Sequence, residues 1–272
     1  MDFKQLLIDL QKISLKSLKK IEVESLVDEM MENIGDIDPH LRDELIYSTF
    51  VQIFKEDVIS KEQTISILDK CISDSFLFLG IDEGEGDFVF TRSFSSLVIA
   101  LILRADAKKP MLSEGQLGEV YSKIFEYIER EQDTRGYLPK KGWAHSIAHA
   151  ADMLAAYAAH PKTSHIERTK ILSFVVICLC KDTVYTDAED HRLAKVAIAC
   201  LNAGYEEAKL EAWLGQLVAD LKFDNENPRA YFNKIGNTSN FIKSLYFLLK
   251  LNGERLRLRS TIIENIRAIY GE

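Results

Sequence analysis

Trp143, His145, His149 and Asp152 fall within ten residues of one another, and together they are the strongest chemical signal in the chain. They stand in the run DTRGYLPKKGWAHSIAHAADMLAAY, Asp133 to Tyr157. On a helix opening at Trp143, the offsets i, i+4 and i+7 stack both imidazoles and the carboxylate on one face. Three readings of that face stand side by side. An i, i+4 histidine pair can converge on a divalent transition metal, as in H-E-x-x-H sites, with Asp152 or His191 as third ligand. That would make the chain a metal-dependent hydrolase or lyase, although Ser146 stands where such proteases carry their glutamate. The second reading packs His145 and His149 between helices, with Asp152 fixing the His149 tautomer. On it no cofactor is expected.

The third reading joins the helix to the loop before it. Arg135, Lys140 and Lys141 precede the helix start, and Arg92 opens an earlier helix. Guanidinium forks and a helix N-terminus suit a carboxylate or phosphate, and Trp143 would supply a stacking wall. Against it, Arg135 can pair with Asp133 across its own turn, leaving both lysines in solvent.

The elements that must position these residues are helices. Apolar residues recur with helical period nearly throughout, and the 13 Gly and 5 Pro fall between the periodic segments. A first helix or broken pair is expected over residues 2–33, a second from His40 to about Lys55 behind Asp38 and Pro39, and a third from Ser60 to about Leu79. The acidic loop IDEGEGDFVF precedes TRSFSSLVIALILRA, and Ser113 caps the next helix. Further helices follow in SHIERTKILSFVVICLCK, AEDHRLAKVAIACLNAG and YEEAKLEAWLGQLVADLKF. A long polar loop, 224–238, leads into TSNFIKSLYFLLKLNG, and ERLRLRSTIIENIRAIY closes the chain. No segment reads as a strand, so the fold class is all-α.

Alternate helices recur. Aligning the polar residue in the first turn gives Arg42, Arg92, His145, Arg192 and Asn240, at spacings of 50, 53, 47 and 48. A period of roughly 40–50 residues built from helix pairs is the signature of HEAT- or armadillo-like stacks. The expectation is a right-handed α-solenoid of about five pairs plus capping helices, in one domain over 1–272. Residues 1–75 would be its N-terminal helices, 76–252 its core and 253–272 its cap. Long loops (80–91, 133–142, 182–187, 224–238) enter the recurring helices, and short ones such as Ala203–Gly204 and Asn252–Gly253 leave them. The helix N-termini should then share a rim suited to an anion.

Composition excludes other classes. The net charge of −8 argues against nucleic acid as a partner, and the 47 % hydrophobic and 28 % charged content is that of a soluble globular chain. Cys71, Cys178, Cys180 and Cys200 sit in apolar helical runs without a C-x-x-C pair, which fits a cytoplasmic setting and no structural zinc. No uninterrupted apolar span indicates a membrane segment. The carboxylates Asp82, Glu83, Glu85 and Asp87 lack the EF-hand spacing, and neither a nucleophile elbow nor a phosphate-binding glycine loop is present.

The segments RGY, GWAHSIAHAAD, EDHRLA and FTRSFSSLVIALIL resemble an uncharacterised bacterial family, domain of unknown function 2785, over roughly residues 75–250. The resemblance implies a helical-repeat fold and no particular activity. Carried over by position, it nominates Arg92, Asp133, Arg135, Gly136, Trp143, His145, His149, Asp152 and Arg192. With Lys141 and His191 from the loop and metal readings, these are the candidate ligand-binding residues. The function they suggest is a binding module for a protein or a small anionic ligand.

Overall fold

The computed structural model describes residues 2–251, 253 and 255–271. It is all-helical, with 69 % of the chain in helix, and it packs as two compact units, Met1–Met153 and Leu154–Glu272.

The first unit opens with α1 (Phe3–Leu10), a single 3-10 turn (Leu15–Ser17) and α2 (Lys20–Glu32). The expected N-terminal helix is thus broken. A π-helical stretch, His40–Ile46, runs into α3 (Tyr47–Glu56), followed by α4 (Lys61–Cys71) and the long α5 (Phe88–Lys108). Then come α6 (Glu114–Arg130), a ribbon of β1 (Tyr137–Leu138) and β2 (Gly142–Trp143), and α7 (Ser146–Ala159). The Ser113 cap read from the sequence is made, Ser113 accepting the Gln116 N–H, and Ser60 caps α4 in the same way from Gln63.

This unit is organised on α5, which packs against α3 and α4. Phe90, Phe94, Val98, Ile99 and Ile102 are all buried, and so are Ser93, Ser95 and Ser96 between them. Those hydroxyls turn back onto their own helix: Ser95 donates to the Thr91 carbonyl at 2.7 Å and Ser96 to that of Ser93 at 2.6 Å. A buried polar group needs such a partner. Among the described residues α5 is the one helix long and apolar enough to cross a membrane, and 72 % of its most apolar window is buried inside the protein. Its apolarity builds a core.

The second unit holds α8 (His165–Leu179), α9 (Glu189–Asn202), α10 (Glu207–Ala219), α11 (Pro228–Leu251) and α12 (Leu256–Tyr270). Here α11 packs along α9, and α12 lies against both α10 and α11.

Four boundaries differ from the sequence reading, each for a local reason. The third expected helix ends at Cys71 rather than Leu79, and turns carry the chain to α5. Trp143 does not open α7: Gly142 has φ +75° and His145 φ +49°, so the chain leaves the right-handed region twice before Ser146. The segment read as strandless forms the β1–β2 ribbon, pairing Tyr137 with Trp143 and Leu138 with Gly142. The polar loop ends eleven residues early, because the Asn227 side chain accepts the Ala230 N–H at 3.1 Å and Pro228 opens α11. Asn252 and Glu254, in the expected short connection and the start of ERLRLR, lie outside the described residues.

Candidate functional site

In the first unit, the loop from Glu131 to His145 is built around two buried arginines. Arg92, in the second turn of α5, is 1 % exposed and forks onto Glu131, itself 1 % exposed: Nε donates to Oε2 at 2.7 Å and Nη2 to Oε1 at 2.9 Å. Its remaining nitrogen donates to the Leu79 carbonyl at 2.9 Å. Burial works against the Arg92 charge, but the Glu131 hydrogen bonds and charge outweigh it and hold the guanidinium above its ordinary pKa. Beside them the buried Tyr127 hydroxyl is pushed well up, by burial first and the Glu131 charge second.

Glu131 passes the fixation on. Its Oε1 accepts the Asp133 N–H at 2.9 Å, and the Asp133 side chain takes the Arg135 N–H at 3.2 Å and Nε at 2.8 Å, with Nη2 on its other oxygen. Ser146, which replaces the glutamate of a zinc-protease motif, donates its hydroxyl to the Asp133 carbonyl and ties the loop to the first turn of α7.

Arg42, fully buried in the π-helical stretch, holds the far end of the loop. It donates to the Asp36 carbonyl at 2.6 Å and the Lys141 carbonyl at 2.7 Å, with its carbon 4.0 Å over the Phe90 ring. Asp43 pairs with Arg42 Nε at 2.7 Å and accepts the Trp143 N–H. Burial is the larger influence on this pair, lowering the Arg42 pKa and raising that of Asp43. The close fit also explains Gly142: a Cβ there would lie 2.5 Å from the Pro39 Cβ and 3.1 Å from Arg42 Nη2.

The ribbon displays an aromatic edge. Tyr137 is 54 % and Trp143 38 % exposed, with rings edge-to-face at 4.9 Å. Behind them Trp143 stacks on His145 at 4.4 Å and 20°, His145 meets His149 edge-on at 5.7 Å, and His149 meets Phe94 at 5.1 Å. A row of rings therefore runs from the surface into the core, in the geometries aromatic quadrupoles favour. Both histidines are buried.

The structure brings Arg92, Asp133, Arg135, Lys141, Trp143, His145 and His149 together. Asp152 follows on the same helix, its carbonyl 3.4 Å from an Arg104 nitrogen. The cations of the anion-pocket reading meet carboxylates. Arg92 holds Glu131, Arg135 holds Asp133 with Glu85 at 3.8 Å, and Lys141 holds Asp87 at 2.7 Å. The acidic loop is the counter-charge of the basic one. Among the described residues no group of three or more His, Cys, Asp or Glu side chains is placed to hold a metal ion.

His191 and Arg192 lie on α9 in the second unit, both half-buried. Burial, with Lys195 next, lowers the His191 pKa.

Sequence reasoning missed Glu131, Ser146 and the role of Arg42. One signal was in view: Arg42 and Arg92 align in the recurrence, and each is buried and reaches the loop before α7, Arg42 through the Lys141 carbonyl and Arg92 through the Glu131 carboxylate.

No curated protein and no solved structure matches the chain. A family model does: residues 77–247, well over half of the chain, match the protein family of unknown function DUF2785, and the chain belongs to that family.

Proposed function

We propose that the chain is a cytoplasmic binding module whose contact surface is the aromatic edge of the β1–β2 ribbon, Tyr137 and Trp143 backed by His145. One observation carries this reading. Two large aromatic side chains stand exposed on a loop held at one end by buried Arg42, through the Lys141 carbonyl, and at the other by buried Arg92, through the Glu131 carboxylate. Ordering a loop costs about 1–2 kcal/mol per residue. A loop ordered beforehand spends none of its binding energy on that, and rigid aromatics on such loops are where contact energy concentrates.

The partner class favoured is a protein. Arg92, Arg135 and Lys141 are each engaged by a carboxylate, so an anionic ligand would have to compete with an internal one, whereas the ring edge is open. The wider reading as a right-handed HEAT-like stack of helix pairs rests on the recurrence in the sequence. The cytoplasmic setting rests on four free cysteines, three of them buried. The alternative, a metal-dependent hydrolase or lyase on His145, His149 and Asp152, has the i, i+4, i+7 spacing behind it.

Two experiments test these readings. Tyr137→Ala and Trp143→Ala should each melt like the wild type while retaining a partner isolated with the wild-type chain at least about tenfold more weakly, a difference of ~1.4 kcal/mol. Unchanged retention contradicts the proposal. Elemental analysis of untagged protein should show no stoichiometric transition metal. About one equivalent, lost in His149→Ala, would favour the enzyme.

A further inference from the structure

Each unit carries an apolar surface that the aromatic ribbon does not use, and the two are opposite in charge. In the first unit a groove of about 520 Å³ lies between α1 and α2. Leu6, Leu10, Leu18 and Ile21 line it, Ile21 being 69 % exposed, and Glu22 and Glu29 stand on its rim. The whole of α2 carries Glu22, Glu24, Asp28, Glu29 and Glu32 against a single lysine, Lys20.

In the second unit α11 has the reverse balance: Arg229, Lys234, Lys243 and Lys250, with no carboxylate in its 24 residues. One turn apart on its outer face, Phe247 and Leu251 are 59 % and 82 % exposed, with exposed Lys250 beside them and half-buried Lys243, whose ammonium donates to the Tyr270 hydroxyl at 3.1 Å, one turn before Phe247. An apolar i, i+4 pair bordered by cations is what a carboxylate-rimmed apolar groove accepts.

We propose that these two surfaces bind each other between copies of this chain: the α11 face of one copy, through Phe247, Leu251 and Lys250, seats in the α1–α2 groove of the next. Charge decides between the homotypic arrangements. Pairing α11 with α11 would set cations against cations, and pairing groove with groove carboxylates against carboxylates, whereas the unlike contact is complementary in both charge and apolarity. Because the two surfaces differ, the contact is heterologous. Unless the arrangement closes on itself, as a reciprocal pair or a ring, each added copy leaves one groove and one α11 face open for the next. The groove is small, which places the contact in the weak class, below about 1,200 Å² of total buried surface.

Sedimentation equilibrium of the full chain from about 10 μM to about 1 mM, the range where weak contacts populate, reads this directly. The weight-average mass should rise above that of the monomer with concentration and fall back in high salt. Ser25→Lys/Glu29→Lys, which spares the Glu22 cap on the Lys19 N–H, and Lys243→Glu/Lys250→Glu should each weaken association at least about tenfold. An equimolar mixture of the two charge-reversed variants should restore it. Leu251→Asp and Ile21→Asp, both at exposed positions, test the apolar part should a double variant fold poorly. A chain that stays monomeric at the top of the range overturns the proposal. So does association that is indifferent to the groove substitutions.

Discussion

Two loops, one in each unit, lead into helices by the same backbone device, and what fastens them differs. The loop before α7 enters through His145 at φ +49°, the loop before α9 through Ala188 at φ +68°. Neither residue is glycine, so both turns spend conformational energy, and such turns persist where their surroundings over-determine them. In the first unit the fastening is ionic: Arg92 on Glu131, and Arg42 on the Lys141 carbonyl beside Asp43. In the second a buried amide stands at the centre of it. Asn237 on α11 accepts the Tyr185 N–H at 3.0 Å and donates to the Thr183 carbonyl at 2.9 Å, while Tyr185 donates to the Cys178 carbonyl at 2.5 Å. The first loop presents Tyr137 and Trp143 to solvent. The second presents Val184 and Thr186, with Tyr185 buried. The loop with more to display is the one held by two buried guanidinium groups.

The largest effect expected from that difference is on Arg92. Arg92→Ala removes the guanidinium from the buried Glu131 carboxylate, which should cost about 3–5 kcal/mol, read by thermal or denaturant unfolding. Replacing both partners, Arg92→Met with Glu131→Met, should recover much of the loss, because the buried charge is gone. A double variant as unstable as the single would mean that the pair is not the fastening. Asn237→Ala strands the Tyr185 N–H and the Thr183 carbonyl, so the loss expected there is about 1–3 kcal/mol. A loss equal to that of Arg92→Ala would erase the distinction between the loops.

Glu189→Gln is the smallest change. Burial raises the Glu189 pKa above its ordinary 4.5. Folding therefore favours the protonated form: the carboxyl's contribution to stability is full below about pH 4.5 and is lost as pH rises through the raised value. Gln keeps an oxygen for the Asp187 N–H, which Glu189 accepts at 2.9 Å. The variant should melt no lower than the wild type at pH 7, and its advantage should vanish at pH 4. A lower melting temperature at pH 7 would show that the charge itself is needed.

Much of the helical framework was legible in the sequence, since serine caps with Gln or Glu three residues on mark α4, α6 and α8. What stayed hidden shares a cause: polar groups whose partners are remote in sequence. Asn233 and Asn237 read as loop because a helix interior rarely buries amides, yet they serve the Asp182–Tyr185 loop some fifty residues back. Arg92 read as a ligand-binding cation because Glu131 looks like a solvent-facing carboxylate until the fold encloses it, whereas the Arg135–Asp133 pair was one of the readings open in the sequence. The i, i+4, i+7 face of His145, His149 and Asp152 was assembled on a helix from Trp143, but α7 begins at Ser146 and the left-handed His145 lies outside it with Trp143. The histidine spacing survived, as part of a row of rings.

The account depends on the aromatic ribbon being held in place before anything binds. Hydrogen exchange measures that most directly, at the Ala144 and His145 amides, which donate to the Gly136 and Arg135 carbonyls at 2.9 and 3.0 Å. Both should exchange as slowly as the core amides of α5 in the wild type, opening only with the unit as a whole. Exchange at those two amides on the timescale of an unprotected loop, with α5 still protected, would contradict it.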